Sequence, residues 1–118
     1  MHAFPRTARL FERHDFSRVF DRPEIKASSH CFLLLATARS HGAARLGVVV
    51  GKKHIRKACR RNRIKRLVRE HFRTHRPAFP LDIVIIARGQ ADQKDNVGIR
   101  RELAAMWDQL ERAAPCAG

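Results

Sequence analysis

The spacing of apolar residues along the chain predicts three helices. Each candidate has apolar residues three or four positions apart, which makes one side of the helix apolar and the other polar. The first is short and ends before Pro23, whereas prolines at 77 and 80 close the second. The predicted helices cover 12–21, 57–75 and, after a capping Asp95 or Asn96, a stretch that runs to about Ala113.

Runs rich in valine, isoleucine and leucine predict the strands of one sheet. Residues 31–38 and 46–51 form two such runs, and Ser-His-Gly at 40–42 is typical of a turn between them. The run LDIVIIA at 81–87 is almost continuously apolar, which is typical of a strand buried on both faces. Residues 24–30 are ambiguous and can hold a short edge strand. The order of these elements predicts one α/β domain.

Length and composition agree with a single globular domain. The chain has 118 residues, of which 44% are hydrophobic and 31% charged. We expect an ordered core over about 9–113 and a loose tail over 115–118. No apolar stretch approaches the roughly 20 residues needed to cross a bilayer, and the N-terminal segment lacks the apolar centre of a secretory signal. Three scattered cysteines favour a reducing compartment, so the expected location is the cytoplasm, with no membrane partner.

Positive charge is concentrated in one part of the chain. The net charge is +14, and the window 52–76 holds twelve lysines and arginines against one acid, or +11 of that total. Arginine predominates, and its planar guanidinium group binds phosphate and stacks on bases, which favours a nucleic acid as partner. The first turn of the second helix carries Lys57, Arg60 and Arg61, where the helix dipole is already positive. This placement indicates an anion-binding end, with an ordinary solvated basic face as the alternative.

Other candidate motifs do not predict a protein active site. The run GVVVGKK at 47–53 fails as a phosphate-binding loop because only three residues separate its glycines and Lys53 replaces the required serine or threonine. His71 and His75 have the spacing of two metal ligands on a helix, but no HExxH frame surrounds them, so packing is favoured. Phe16 and Phe20 are either core residues or a platform on which unpaired bases stack.

Several segments together resemble the bacterial ribonuclease P protein family. The run RNRIKRLVRE at 61–70, preceded by GKK at 51–53, carries the resemblance. DFSRVF at 15–20, RLG at 45–47 and DIVIIAR at 82–88 extend it in the same order, over most of the chain. An RNR triplet alone would be weak evidence for the resemblance. A long block with three flanking matches in the same order is highly specific for this family.

The resemblance implies an α/β sandwich with about four strands and three helices, related to a ribosomal-protein fold and with a left-handed crossover. It also implies the protein subunit of an endonuclease that removes the 5′ leader from precursor tRNA. A catalytic RNA, with magnesium ions held mainly by that RNA, would carry out the hydrolysis, and the protein would supply no catalytic side chain. Neither DNA nor a membrane is an expected partner.

Carried over residue by residue, the resemblance implies two RNA-binding surfaces. The residues expected to bind the catalytic RNA are Arg56, Lys57, Arg60, Arg61, Asn62, Arg63, Lys65, Arg66, Arg69 and Arg73. Those expected to bind the leader are Phe16, Phe20, Phe32, Lys52 and Lys53. Leu35 stands where some relatives carry an aromatic residue, so base stacking is expected mainly on Phe16 and Phe20. The alternative functions are a structural RNA-binding protein of ribosomal type with no role in hydrolysis, and a DNA-binding helix.

Overall fold

A four-stranded sheet with helices on both faces organises the chain. The structure is a computed structural model that describes residues 13–39, 42–77 and 80–113. A short 3-10 segment, Gly89–Gln93, precedes the last helix. In chain order the elements are α1 (Arg13–Asp21), β1 (Ile25–Ser28), β2 (Phe32–Ala38), β3 (Arg45–Val50), α2 (Ala58–Thr74), β4 (Leu81–Ala87) and α3 (Asn96–Ala113).

The strands form a mixed sheet in the order β1-β2-β4-β3. β2 pairs antiparallel with both β1 and β4, whereas β3 and β4 are parallel. A parallel pair needs a crossover connection, and α2 supplies it. The predicted α/β class, with four strands and three helices, is confirmed, while the hand of the crossover stays a prediction.

Helices cover the two faces of the sheet unequally. We call the face covered by α2 and α3 the inner face and the face that carries α1 the outer face. The inner face holds the main core, which includes Phe32, Leu34 and Ile83 together with the buried side of both long helices. On the outer face, Val19 of α1 is buried against the sheet together with Val84 of β4. Alternate residues of a strand point to opposite faces. Helices cover both faces at β4, so this strand is apolar along nearly its whole length.

Element boundaries agree with the sequence predictions within a few residues. The ambiguous segment 24–30 contains β1, which lies at the edge of the sheet. Lys57 is the extended residue before α2, and Asp95 caps α3 because its Oδ1 accepts a hydrogen bond from the Gly98 amide at 2.8 Å. The expected start of the core near 9, the tail at 115–118 and the turn residues 40 and 41 lie outside the described residues. Among the helices described, none has the length and apolar character that a bilayer crossing requires.

Aromatic contacts tie the end of α2 to α3. Trp107 Nε1 donates a hydrogen bond to the backbone oxygen of His75 at 2.9 Å. The ring of His71 stacks on His75 with 4.1 Å between centroids and meets the Trp107 ring edge-on at 4.6 Å. Within the described part of the chain, His71 Nε2 is buried without a hydrogen-bond partner. Burial, followed by the nearby charge of His75, lowers the pKa of His71 to about 4.

We expect this cluster to make the free energy of unfolding fall as the pH drops from 6.5 towards 4. The pKa of His71 is about 4 in the folded protein and 6.5 when unperturbed, so the unfolded chain binds the proton first. Urea titrations across this window should show a smaller pH dependence for His71→Gln than for the parent. The matched variant His30→Gln, at an exposed position, should keep the parent's slope. If the free energy of unfolding of His71→Gln fell with pH as steeply as that of the parent, His71 would not be the residue responsible.

Candidate nucleic-acid interface

α2 presents a row of polar side chains on the side away from the core. Asn62, Arg66, Arg69 and Arg73 are spaced by four, three and four residues and therefore fall within about 60° of the helix circumference. This side lies opposite the buried Ile64. Asn62, Arg66 and Arg73 are exposed and Arg69 is half-buried. We call these four residues the outward row.

Two arginines near the start of α2 bind groups within the protein. Arg60 Nη1 lies 3.1 Å from Asp92 Oδ1 in an exposed ion pair. Arg63 donates from Nη1 to Asn96 Oδ1 at 2.7 Å and from Nη2 to the Lys94 backbone oxygen at 3.0 Å. These contacts fix the segment between β4 and α3 against α2. Both arginines were predicted to bind the catalytic RNA, and the structure gives them a second role in shaping that surface.

The loop over residues 51–57 joins the end of β3 to α2, and Arg61 holds it in place. Arg61 Nη1 donates to the backbone oxygens of Ile55 and Arg56 at 2.9 and 2.7 Å. The Ile55 side chain is fully buried in the main core and anchors the same part of the loop. The preceding turn leaves Lys52 and Lys53 exposed at the end of the sheet. Arg61 therefore positions the loop that carries both lysines.

The remaining predicted cations lie beside the outward row or directly before α2. Arg56 and Lys57 are exposed directly before α2, and Lys65 is half-buried at the flank of the outward row. Glu70 is the only acid within α2. The structure thus brings the predicted cations together along one helix and the loop that leads into it.

The outer face has a partly exposed apolar strip beside α1. Phe16 is half-buried and packs against the buried outer-face cluster that contains Val19 and Val84, as do the half-buried side chains of Leu33, Val49 and Ile86. Phe20 is 42% exposed, and its ring stacks on that of Phe16 with 6.5 Å between centroids. Aromatic rings accessible beside lysines are a common platform for unpaired bases.

Phe32 does not belong to this surface, and its assignment to leader binding is wrong. The side chain is fully buried in the main core on the inner face. Its neighbours Leu33 and Leu35 point to the outer face because the side chains of a strand alternate. Leu35 is itself buried beneath α1, against Val19 and Val84, and offers no stacking surface.

A buried carboxylate surrounded by arginines occupies the opposite end of the outer face. Asp82 is fully buried and accepts hydrogen bonds from Arg45 Nε and Nη2 at 2.8 and 2.9 Å. Arg18 Nη2 from α1 contacts the same carboxylate, and Arg39 Nε lies 3.5 Å away. Sequence reasoning missed this cluster, although a single acid within the apolar run of β4 was a usable signal.

Comparison with known proteins identifies the family. The family model described as Ribonuclease P matches residues 4–111. The chain belongs to the ribonuclease P protein family. The ribonuclease P protein components of Marinobacter nauticus and Marinomonas sp. are 41% and 42% identical to it over 109 and 114 residues. These matches cover 92% and 96% of this chain and 83% and 86% of the two relatives.

Solved structures of the family share the fold. A Staphylococcus aureus RNase P protein mutant with defective mRNA degradation activity has a TM-score of 0.81 and 27% identity, covering 89% of each chain. The RNase P protein of Thermotoga maritima has a TM-score of 0.71 and 34% identity, covering 82% of this chain and 92% of its own. Family membership confirms a subunit of an endoribonuclease in tRNA processing, with RNA as partner. The alternative of a structural ribosomal-type protein is not favoured.

Proposed function

We propose that the protein binds the catalytic RNA and the 5′ leader of precursor tRNA at the same time, on opposite sides of its sheet. The observation that carries this proposal is the placement of the helices, because α1 packs on the outer face and α2 on the inner face. The loop 51–57 connects the two surfaces. Hydrolysis is assigned to the catalytic RNA and the site of action to the cytoplasm.

The catalytic RNA is proposed to lie along α2. The outward row extends over twelve residues, 62–73, and therefore about 16 Å of helix, so it can contact several phosphates in succession. Guanidinium groups bind phosphate oxygens through two parallel hydrogen bonds, which suits a highly charged RNA surface. Arg56, Lys57 and Lys65 enlarge the same surface. Arg60, Arg61 and Arg63 contribute charge and also fix the neighbouring segments.

The leader is proposed to cross the outer face. Phe16 and Phe20 offer ring surface for stacking, and Lys52 and Lys53 offer charge to the phosphates at the end of the strands. Stacking and phosphate contacts do not read the edges of bases, so a surface of this kind tolerates many leader sequences.

Magnesium is assigned to the catalytic RNA. In the parts of the chain that the structure describes, no three His, Cys, Asp or Glu side chains are grouped so that they could hold a metal. The carboxylate of Asp82 is engaged by guanidinium groups. The acidic, histidine and cysteine side chains of the described residues therefore do not fit a magnesium site. The contribution of the protein is positive charge, which reduces the repulsion between two polyanions.

Reconstitution tests the proposed function. The full-length protein is added to a bacterial ribonuclease P RNA at low magnesium, and cleavage of precursor tRNA is measured for substrates with long and with very short leaders. We expect faster cleavage with the protein present and a larger gain for the long leader. A rate that the protein does not change would overturn the proposal. An equal gain for both substrates would overturn the leader surface alone.

Phe20→Ala is expected to weaken binding of the long-leader substrate about tenfold, in line with the loss of one stacking contact. Phe20 is 42% exposed, so the variant should fold normally. The matched control is Val97→Ala, which truncates the other large exposed apolar side chain among the described residues, 53% exposed on α3. Equilibrium binding to the assembled enzyme measures both variants. A similar loss for the short-leader substrate would contradict a leader contact.

A further inference from the structure

The two lysines at the end of the sheet stand on a closed turn. The backbone oxygen of Gly51 accepts hydrogen bonds from the amides of His54 and Ile55 at 3.2 and 3.0 Å, which ties the two ends of the turn together. Lys52 and Lys53 are exposed on this turn. Strand β3 holds its first end, so the position of both lysines depends on what holds the second end, where the chain leads into α2.

Arg61 holds that second end from within α2. Its Nη1 atom donates hydrogen bonds to the backbone oxygens of Ile55 and Arg56 at 2.9 and 2.7 Å. Hydrogen bonds from a charged donor are roughly twice as strong as those between neutral groups. The neighbouring Arg60 and Arg63 bond instead to the segment that leads into α3. Of these three arginines, Arg61 is the one that holds the turn.

The guanidinium group of Arg61 keeps donors for a second partner. Arginine has five N–H groups in one plane, and the two on Nη1 serve the two carbonyl oxygens. The other three are on Nε and Nη2, and the described part of the chain gives neither atom a hydrogen-bond partner. The side chain is half-buried, and Lys65 lies one turn later on the same flank of α2. An RNA phosphate beside the outward row can therefore bind this edge of Arg61 through two parallel hydrogen bonds.

We propose that Arg61 couples the two RNA surfaces, by binding a phosphate of the catalytic RNA through Nε and Nη2 while Nη1 holds the turn that carries Lys52 and Lys53. The inference rests on the proposed function and deepens it. A bound phosphate fixes the plane of the guanidinium group, which in turn fixes the two carbonyl oxygens and the position of the lysines. The leader therefore binds more tightly once the catalytic RNA is bound. Because linkage is reciprocal, the leader raises the affinity for the catalytic RNA by the same factor.

This role requires arginine rather than positive charge alone. The ammonium group of lysine presents its three N–H groups at a single atom, so it cannot bind a phosphate through two parallel bonds and hold two carbonyl oxygens at the same time. Arg61→Lys therefore keeps the charge and removes the coupling. Arg66→Lys is the matched control, because it makes the same change at an exposed position of the outward row.

The test uses a single-stranded RNA oligonucleotide of about ten nucleotides as the probe. Its affinity is measured for the free full-length protein and for the protein fully assembled with a bacterial ribonuclease P RNA, with that RNA alone as background. The second affinity divided by the first is the coupling factor. Repulsion between the two RNAs affects this factor equally in proteins of equal charge. We expect the factor of Arg61→Lys to be about fivefold smaller than that of the parent, and that of Arg66→Lys to match the parent within about twofold.

Removal of the lysines tests the route of the coupling. In the background Lys52→Gln with Lys53→Gln, Arg61→Lys should no longer change the coupling factor. Urea unfolding of each variant checks that the fold is intact. A purely structural Arg61 would support both forms of the protein alike, so equal factors for the parent and Arg61→Lys would overturn the coupling alone. A change in the factor that persists without the lysines would do the same. If the oligonucleotide bound neither the free protein nor the assembled enzyme, the leader surface would be wrong as well.

Discussion

Asp82→Asn is expected to lower the free energy of unfolding by about 3 kcal/mol. The carboxylate of Asp82 is fully buried and is contacted by guanidinium groups from α1, from the end of β2 and from β3. An asparagine keeps the shape but removes the negative charge and turns an NH₂ group toward these donors. The arginines are partly exposed and stay partly solvated, so the expected loss is at the low end for a broken buried pair. Urea unfolding followed by circular dichroism measures it.

Asp92→Asn is the matched control, since it removes the same charge from an exposed pair. Asp92 and Arg60 are 27% and 48% exposed, and their ion pair is 3.1 Å long. Exposed pairs of this kind contribute less than about 1 kcal/mol. If the two variants lost the same free energy of unfolding, the Asp82 cluster would stabilise the protein no more than an exposed ion pair does.

Replacing Arg66 and Arg73 by glutamine is expected to weaken binding of the catalytic RNA by roughly 30- to 100-fold. Both side chains are exposed in the outward row, so the free energy of unfolding should be unchanged or slightly higher as repulsion falls. Each phosphate contact that is lost reduces the slope of log affinity against log salt by about 0.7–0.9, and the double variant should lose about 1.5. Titrations at four or more salt concentrations measure the affinity and the slope together.

A charge-matched pair on α3 distinguishes a contact from a general electrostatic effect. Arg101→Gln with Arg112→Gln removes two exposed cations from a different helix. We expect a loss of less than about threefold, because neither side chain belongs to the outward row and both act on the RNA only through solvent, where salt screens charge. Comparable losses for the two pairs would contradict a binding surface centred on α2.

The sequence was most informative where the pattern is local. In α2, the helical repeat that places Ile64 in the core also places Arg66 and Arg73 on the opposite side, and the structure confirms the helix and its buried residues. In β2 the pattern was uninformative, because residues on both faces are apolar and nothing in the run FLLLATA distinguishes inner from outer positions. The error in placing Phe32 follows from that ambiguity.

Contacts between distant segments could not be read from the chain. The bonds from Arg61 to the loop 51–57 depend on how that loop is folded, and those of Arg63 depend on a segment about thirty residues later. The 3-10 segment was also not predicted, because its sequence GQADQ has no apolar periodicity. Asp82 is different, since one acid in an apolar strand predicts a buried partner even when the partner is unknown.

Trp107 gives this protein an internal spectroscopic reporter. The chain contains one tryptophan and no tyrosine, so its near-ultraviolet emission comes essentially from a single indole. That indole is bonded to the His75 carbonyl at the end of α2 and lies edge-on to His71. Changes in emission as the RNA is titrated in would therefore follow the far end of the basic helix without an attached dye.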